Sequence, residues 1–285
     1  MQPAKIGKYE IVRLIGEGST GTVYKAFDPI VDRFVALKVI PGEKVSKPEH
    51  LQRFKKEVRA QGRLLHPNVA MLFDVEFFSG DYVIVMEYVE GRSLREVMQE
   101  ERIFTLQSFY GIIGQVCLGL ASAHRQGVVH RDIKPENLRL TPEGRVKILD
   151  FSIARIQSAA PTSAHMNFLL GSAHYMAPEQ IMGLAVTPAT DQFAVGVISY
   201  EMLTCRRPFE AGSLADSILN TTRIAPPPIG ERNPMVDPDL EAIIARSLQK
   251  EPAHRHPSIG HYLKALQRYF RQVNMEMADL DGTDV

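Results

Sequence analysis

The stretch His130-Arg131-Asp132-Ile133-Lys134-Pro135-Glu136-Asn137 places an acid, an ammonium group and an amide within one short loop. Groups of these three kinds, held close together, can accept a proton, neutralise an anion and offer an oxygen to a cation. The bland reading of the same letters is a polar surface turn, because Asp, Lys, Pro and Asn are common turn residues. The segments on either side of the loop separate the two readings.

Upstream, Thr105 is positioned to cap a long helix running to about Gln126. Phe109, Ile112, Ile113, Val116, Leu120 and Ala123 fall at helical spacing along it, so this helix delivers the chain to the loop. Ser93 is a candidate cap for a shorter helix through Arg102. Downstream, Leu138 to Leu140 and Arg145 to Leu149 read as a short hairpin about Thr141-Pro142-Glu143-Gly144, and Asp150-Phe151-Ser152 follows at once.

Nearer the N-terminus, Tyr9 to Ile15 reads as a strand that runs into Gly16-Glu17-Gly18-Ser19-Thr20-Gly21-Thr22-Val23. Glycines at that spacing let backbone N–H groups approach phosphate oxygens with no Cβ in the way. Dinucleotide-binding folds share the spacing but require a helix directly afterwards. Here Thr22 to Phe27 is rich in strand formers and ends at Asp28-Pro29, which favours a hairpin. The strand Arg33 to Ile40 carries Val35-Ala36-Leu37-Lys38, with Ala36 and Lys38 on one face. A lysine in so apolar a strand must snorkel to water or find an anion. A helix over Pro48 to Leu65 contains Glu57, and strands follow over Met71 to Phe78 and Tyr82 to Glu87. Helices near the C-terminus are expected over Ser213 to Thr222, Asp237 to Gln249 and Ser258 to Val273.

The bulk properties are those of a globular chain. Its 285 residues are 45% hydrophobic and 23% charged, enough to bury a large core or two lobes. Lys+Arg and Asp+Glu balance at 33 each, so no global charge draws it to nucleic acid or anionic lipid. Cys117 and Cys205 both lie in apolar helical patterns and read as small core residues of a reducing compartment. Met1 to Glu10 has no apolar run resembling a secretory signal, and no stretch approaches the ~18 apolar residues of a membrane span. A cytoplasmic location is the expectation.

Taken in order, these segments resemble a eukaryotic-like (Hanks-type) Ser/Thr protein kinase, of the kind also found in bacteria, over about residues 9 to 273. The motifs that carry the resemblance are the glycine-rich stretch, Val35-Ala36-Leu37-Lys38, the His130 to Asn137 loop, Asp150-Phe151-Ser152 and Met176-Ala177-Pro178-Glu179. It implies an α+β, bilobal fold: a β-rich N-lobe (9–86) with one main helix, a hinge (87–91) and a mostly α-helical C-lobe (92–273). An acidic tail (274–285) is expected to be disordered. It also implies roles. Asp132 would accept the substrate hydroxyl's proton, Lys134 would sit near the transferring phosphate, and Asn137 and Asp150 would hold Mg2+. Lys38, partnered by Glu57, would bind the α- and β-phosphates of ATP. Ile15, Gly16, Gly18, Gly21, Val23, Ala36, Met86, Glu87, Val89 and Arg139 would complete the nucleotide site. Glu179 would pair with Arg255, and Asp191 would brace the catalytic loop.

The implied activity is transfer of the γ-phosphoryl group of ATP to Ser/Thr hydroxyls of proteins, including a transiently paired second copy of the chain. No nucleic acid and no membrane span are expected. Three positions leave the family pattern. Ser152 replaces the Gly of D-F-G, Arg139 falls where an apolar residue usually floors the adenine, and Gln61 replaces a usually apolar residue facing Phe151. They motivate the alternative of a nucleotide-binding pseudokinase. Ser158, Thr162 and Ser163 are candidate phosphosites, with Arg131 as a possible receiver of the phosphate.

Overall fold

In the computed structural model, which describes residues 4–18, 21–151 and 173–273, the expected strand Arg33–Ile40 forms and both its faces are covered. Val35 and Leu37 enter one apolar cluster with Tyr9, Ala26, Val83 and Val85. Ala36 and Ile40 point the other way, into a second cluster with Val45, Phe54, Ile84 and Met86. Alternation therefore places Lys38 on the Ala36 face, where it is buried. Among the described residues the chain divides into two compact units, one running to Glu90 and the other beginning at Gly91.

The first unit is a six-stranded antiparallel sheet with strand order β1-β2-β3-β4-β6-β5. Its strands are β1 (Lys5–Ile6), β2 (Tyr9–Gly18), β3 (Gly21–Asp28), β4 (Arg33–Ile40), β5 (Leu72–Phe78) and β6 (Asp81–Glu87). Helix α1 (Pro48–Gln61) lays Leu51, Phe54 and Val58 on the Ala36 face. It starts with Pro at its first position, where the missing N–H is no loss. It stops four residues short of the expected Leu65. Gly62 donates its N–H to Val58 O and turns the chain, so that Leu64 is buried. Pro67 then disfavours helical backbone at His66.

The second unit opens on a small sheet, β7 (Arg92–Ser93), β8 (Leu138–Leu140) and β9 (Val146–Ile148). Helix α2 (Leu94–Glu100) begins with a capping box. The Ser93 hydroxyl accepts the Glu96 N–H, and the Glu96 carboxylate accepts the Ser93 N–H at 2.6 Å. The remaining helices are α3 (Leu106–Arg125), α4 (Pro178–Ile181), α5 (Pro188–Thr204), α6 (Leu214–Arg223), α7 (Pro238–Ser247) and α8 (Ile259–Gln272). Thr105 caps α3 as expected, and Ser213, Asp237 and Ser258, read as the first residues of their helices, instead stand just before α6, α7 and α8 and cap them. Helix α5 is buried from Thr190 to Thr204, as expected of a helix apolar on every side. Helix α3 packs against α5 and α8.

Two expectations need correction. Cys205 is not a core residue. It is the exposed C-cap of α5, in the left-handed region at φ 56°, whereas Cys117 is fully buried in α3. Among the described residues α3 is also long and apolar enough to cross a membrane by length and composition. Since 72% of that stretch is buried among neighbouring elements, it has the surroundings of a core helix. The candidate phosphosites, Ser152 and the tail after Val273 lie outside the described residues, as do Ser19 and Thr20.

Candidate active site

The catalytic-loop residues owe their positions to one buried carboxylate. Asp191, in the first turn of α5 and 1% exposed, accepts the Arg131 N–H on Oδ1 and the His130 N–H on Oδ2, both at 2.8 Å. Its Oδ2 also meets His124 Nε2 at 2.8 Å, from the last turn of α3. A carboxylate is only an acceptor, so that nitrogen carries the proton. These bonds hold Arg131 at φ 68°, a left-handed backbone that costs a non-glycine residue about 1–3 kcal/mol. Gln180 of α4 donates its Nε2 to Arg131 O at 2.9 Å, closing the loop from the other side.

His130 beneath is inaccessible to solvent. Its Nε2 donates to Leu149 O at 2.8 Å, and its Nδ1 accepts the Asp132 N–H at 3.2 Å. This arrangement fixes one neutral tautomer. Burial holds the imidazole below its usual pKa range, outweighing the attraction of Asp191 and the carbonyl of Leu149. The ring also packs against Phe151 with centroids 4.6 Å apart.

On this base the chemically active groups converge. Lys134 Nζ lies 3.1 Å from Asp132 Oδ2. Asn137 donates Nδ2 to Asp132 O at 2.8 Å and reaches Asp132 Oδ2 at 3.3 Å. The β8–β9 ladder, with Leu138 opposite Ile148 and the Leu149 N–H on Asn137 O at 2.8 Å, carries Asp150 to the same end. Asp150 too has a left-handed backbone, at φ 51°. Arg131 and Asp132 lie together with Tyr175, Met176 and Gln180. With Nδ2 of Asn137 committed to Asp132, its amide oxygen is the atom it can present to a cation. That oxygen and the Asp150 carboxylate are hard donors, which suit a magnesium ion that takes its other ligands from phosphate and water. No group of three or more His, Cys, Asp or Glu occurs as a metal cluster among the described residues.

In the first unit the remaining candidates lie on one sheet, except Glu57 on α1 and Val89 just beyond β6. Val23 pairs with Lys38, Lys38 with Ile84 and Ala36 with Met86 across β3, β4 and β6. Ile15, Gly16 and Gly18 are on β2, where Gly16 opposes Val23 and Gly18 opposes Gly21. Gly21 is required by the sheet itself, since a Cβ there would sit 2.0 Å from Val39 O. At Gly16 the nearest atom to a Cβ would be 3.9 Å away. Glu57 is half-buried on α1. The Glu87 N–H is donated to Met71 O at 2.9 Å, and its carboxylate accepts the Met71 N–H at 3.1 Å. Val89 is buried.

Two of the positions that leave the pattern are visible. Arg139 donates Nη2 to Gly91 O at 2.7 Å, so its guanidinium is tied to the start of its own unit. Gln61 is 2% exposed, and its Oε1 is buried with no hydrogen-bond partner among the described residues. Other contributors are not marked in the sequence. His124 and Gln180 lie 67 and 49 residues from the groups they hold, beyond the reach of any local pattern. Between α4 and the loop after α7, Glu179 and Arg255 form a buried two-pronged ion pair with both N···O distances 2.8 Å.

The protein kinase domain family model matches residues 9–267. The chain is 37% identical over 250 residues to the serine/threonine-protein kinase PrkC of Bacillus subtilis, covering 88% of this chain and 38% of that protein. It is 36% identical over 265 residues to the serine/threonine-protein kinase PknA of Mycobacterium tuberculosis, covering 91% and 61%. The chain thus spans less than two thirds of the length of either relative. Among solved structures it is similar to the PknI kinase domain of Mycobacterium tuberculosis, with TM-score 0.72, 26% identity and 93% of this chain covered against 97% of that one.

Proposed function

This chain belongs to the protein kinase family, and from that premise we propose that it transfers the γ-phosphoryl group of ATP to Ser or Thr hydroxyls of proteins, itself included. The observation that carries the reading is the convergence of Lys134 and Asn137 on the Asp132 carboxylate, in a loop pinned by Asp191. Asp132 is positioned to accept the proton of an incoming alcohol. Lys134, 3.1 Å away, holds that carboxylate in place and adds positive charge where phosphoryl oxygens would gather. Asn137 and Asp150 would hold Mg2+, which when bound neutralises phosphate charge. Lys38 and the β2–β3 glycines would bind the triphosphate. Ile15, Val23, Ala36, Met86, Glu87 and Val89 would receive the adenine, with Arg139 near it.

A cytoplasmic setting belongs to the same proposal. It is supported by the two free cysteines among the described residues, Cys117 and Cys205.

The test is incubation with radiolabelled ATP, magnesium and a generic Ser/Thr substrate, comparing the wild type with Asp132→Asn. Phosphate incorporation that drops at least about a thousandfold in the variant is expected, because the proton acceptor and its charge are both lost. Equal incorporation would refute the assignment. Nucleotide binding by the wild type without turnover would point instead to the pseudokinase.

A further inference from the structure

Lys250, in the loop after α7, is held where an ammonium group is poorly served. Its Nζ stands 3.6 Å from the centre of the Phe209 ring, and its hydrogen bond to Asn220 O of α6 is long, at 3.4 Å. An ammonium has three protons to place, and among the described residues no carboxylate pairs with this one. Other lysines are better provided for: Lys5, Lys8 and Lys134 meet Glu10, Asp28 and Asp132 at 2.9, 3.0 and 3.1 Å. Lys250 is half-buried, and Phe209 is buried.

The ring belongs to a ladder of cations and aromatic faces. Phe209 stacks on Phe193 of α5, with centroids 5.9 Å apart and planes 11° from parallel. The Arg255 guanidinium lies 4.9 Å from the Phe193 ring and donates Nη2 to Lys250 O at 2.9 Å. A second cation thus stands close to Lys250, and Glu179 is already taken up by it. Glu210, beside Phe209, approaches Arg207 at 3.7 Å. Arg223, Arg246, Glu251 and His254, at the ends of the elements around Lys250, are exposed. Burial first, and then Arg255, push the Lys250 amine down to about 7. The Phe209 face favours the ammonium and works against that shift, without replacing the hydrogen bonds that burial removes.

We propose that Lys250 is a nucleophilic amine and the preferred site at which small acyl phosphates modify this chain. A lysine desolvated on an apolar surface and set beside another cation keeps a free electron pair near neutral pH, which an exposed lysine seldom does. That pair attacks the acyl carbon. The N–C bond forms as the C–O bond to phosphate breaks, phosphate departs with the electrons of that bond, and the surplus proton of the amine passes to water. The amide left behind carries no charge, so the seat on the Phe209 ring loses its cation. The inference stands apart from the kinase reading, since Lys250 has no part in the phosphoryl-transfer site described above.

The test treats the wild-type chain with acetyl phosphate in metal-free buffer from pH 7 to 9 and follows acetylation of each lysine by peptide mass spectrometry. Lys55 and Lys264, both exposed, serve as references within the same sample. A lysine with the ordinary pKa near 10.4 has about one amine in a few thousand neutral at pH 7, whereas a group poised near 7 has about half. Lower basicity gives back roughly half of that gain on a logarithmic scale, if amines follow the trend of thiols, and half-burial slows approach further.

At pH 7 Lys250 should be acetylated about tenfold faster than either reference. From pH 7 to 9 its rate should rise only about twofold, while an ordinary amine gains about tenfold per pH unit, so the ratio should fall below one. A ratio near one at pH 7 overturns the inference. So does a ratio that stays constant with pH, which is how amines differing only in exposure behave. Acetylation concentrated at other lysines at pH 7 overturns it as well.

Discussion

Replacing Asp191 by asparagine tests whether the catalytic loop is held by charge or merely by shape. The amide is isosteric but has one acceptor oxygen where the carboxylate has two. That oxygen can stay on the His130 N–H and His124 side, or on the Arg131 side, but not on both. In the first orientation the amide NH2 faces the Arg131 N–H, donor against donor, and one charge-assisted bond of about 1.5–3 kcal/mol is lost. The two bonds that remain fall from charge-assisted to neutral and weaken by roughly half. A total of at least about 3 kcal/mol follows, and it removes the force that keeps Arg131 at φ 68°. For a chain of this size the unfolding midpoint should drop by about 6–10 °C. Because Asp132 follows Arg131 directly, kcat should fall by at least about tenfold, while KM for ATP, whose proposed site draws mainly on the first unit, should hold. Calorimetry and steady-state kinetics read the two effects. A variant that unfolds within about 1 °C of the wild type and retains its kcat would show that the carboxylate is not what holds the loop.

Two further outcomes are expected. Gly21→Ala should destabilise by about 2 kcal/mol or more, because its Cβ would press on backbone at Val39 and force β3 from β4. Gly16→Ala should leave stability within about 0.5 kcal/mol and weaken ATP binding instead. Thermal shift with and without ATP separates them, and equal destabilisation by both would contradict the steric account. Acidification should also destabilise the fold. His130, His174 and His256 are all held below the ordinary histidine pKa, first by burial. The folded chain resists protons that the unfolded chain accepts, so this contribution is complete above about pH 6.5 and is lost as pH falls below it. Fully buried His130 should contribute most there, and His256 and half-buried His174 less. Denaturant midpoints that stay level from pH 7.5 to 5.5 would contradict this.

Most of the architecture was legible because its signals are local. The caps at Ser93 and Thr105 work through bonds to residues three positions on, and strand alternation placed Ala36 and Lys38 together without reference to anything distant. Where a local rule met a tertiary demand, it yielded. The first long helix stops at Gln61 because Leu64 must be buried, and Cys205 leaves its apolar pattern because α5 ends there in a left-handed turn.

The amino-acid order alone determined which chemical groups this protein carries and the order in which a strand, a helix or a turn presents them, since those depend on neighbours a few residues apart. Only the folded chain decided that Arg95 would neutralise Glu136 and Glu201 across 41 and 106 residues, or that His124 and Gln180 would join Asp191 and Arg131 across 67 and 49 residues. An ion pair of that kind depends on distances through space and on exclusion of water, and neither is written in the spacing of letters.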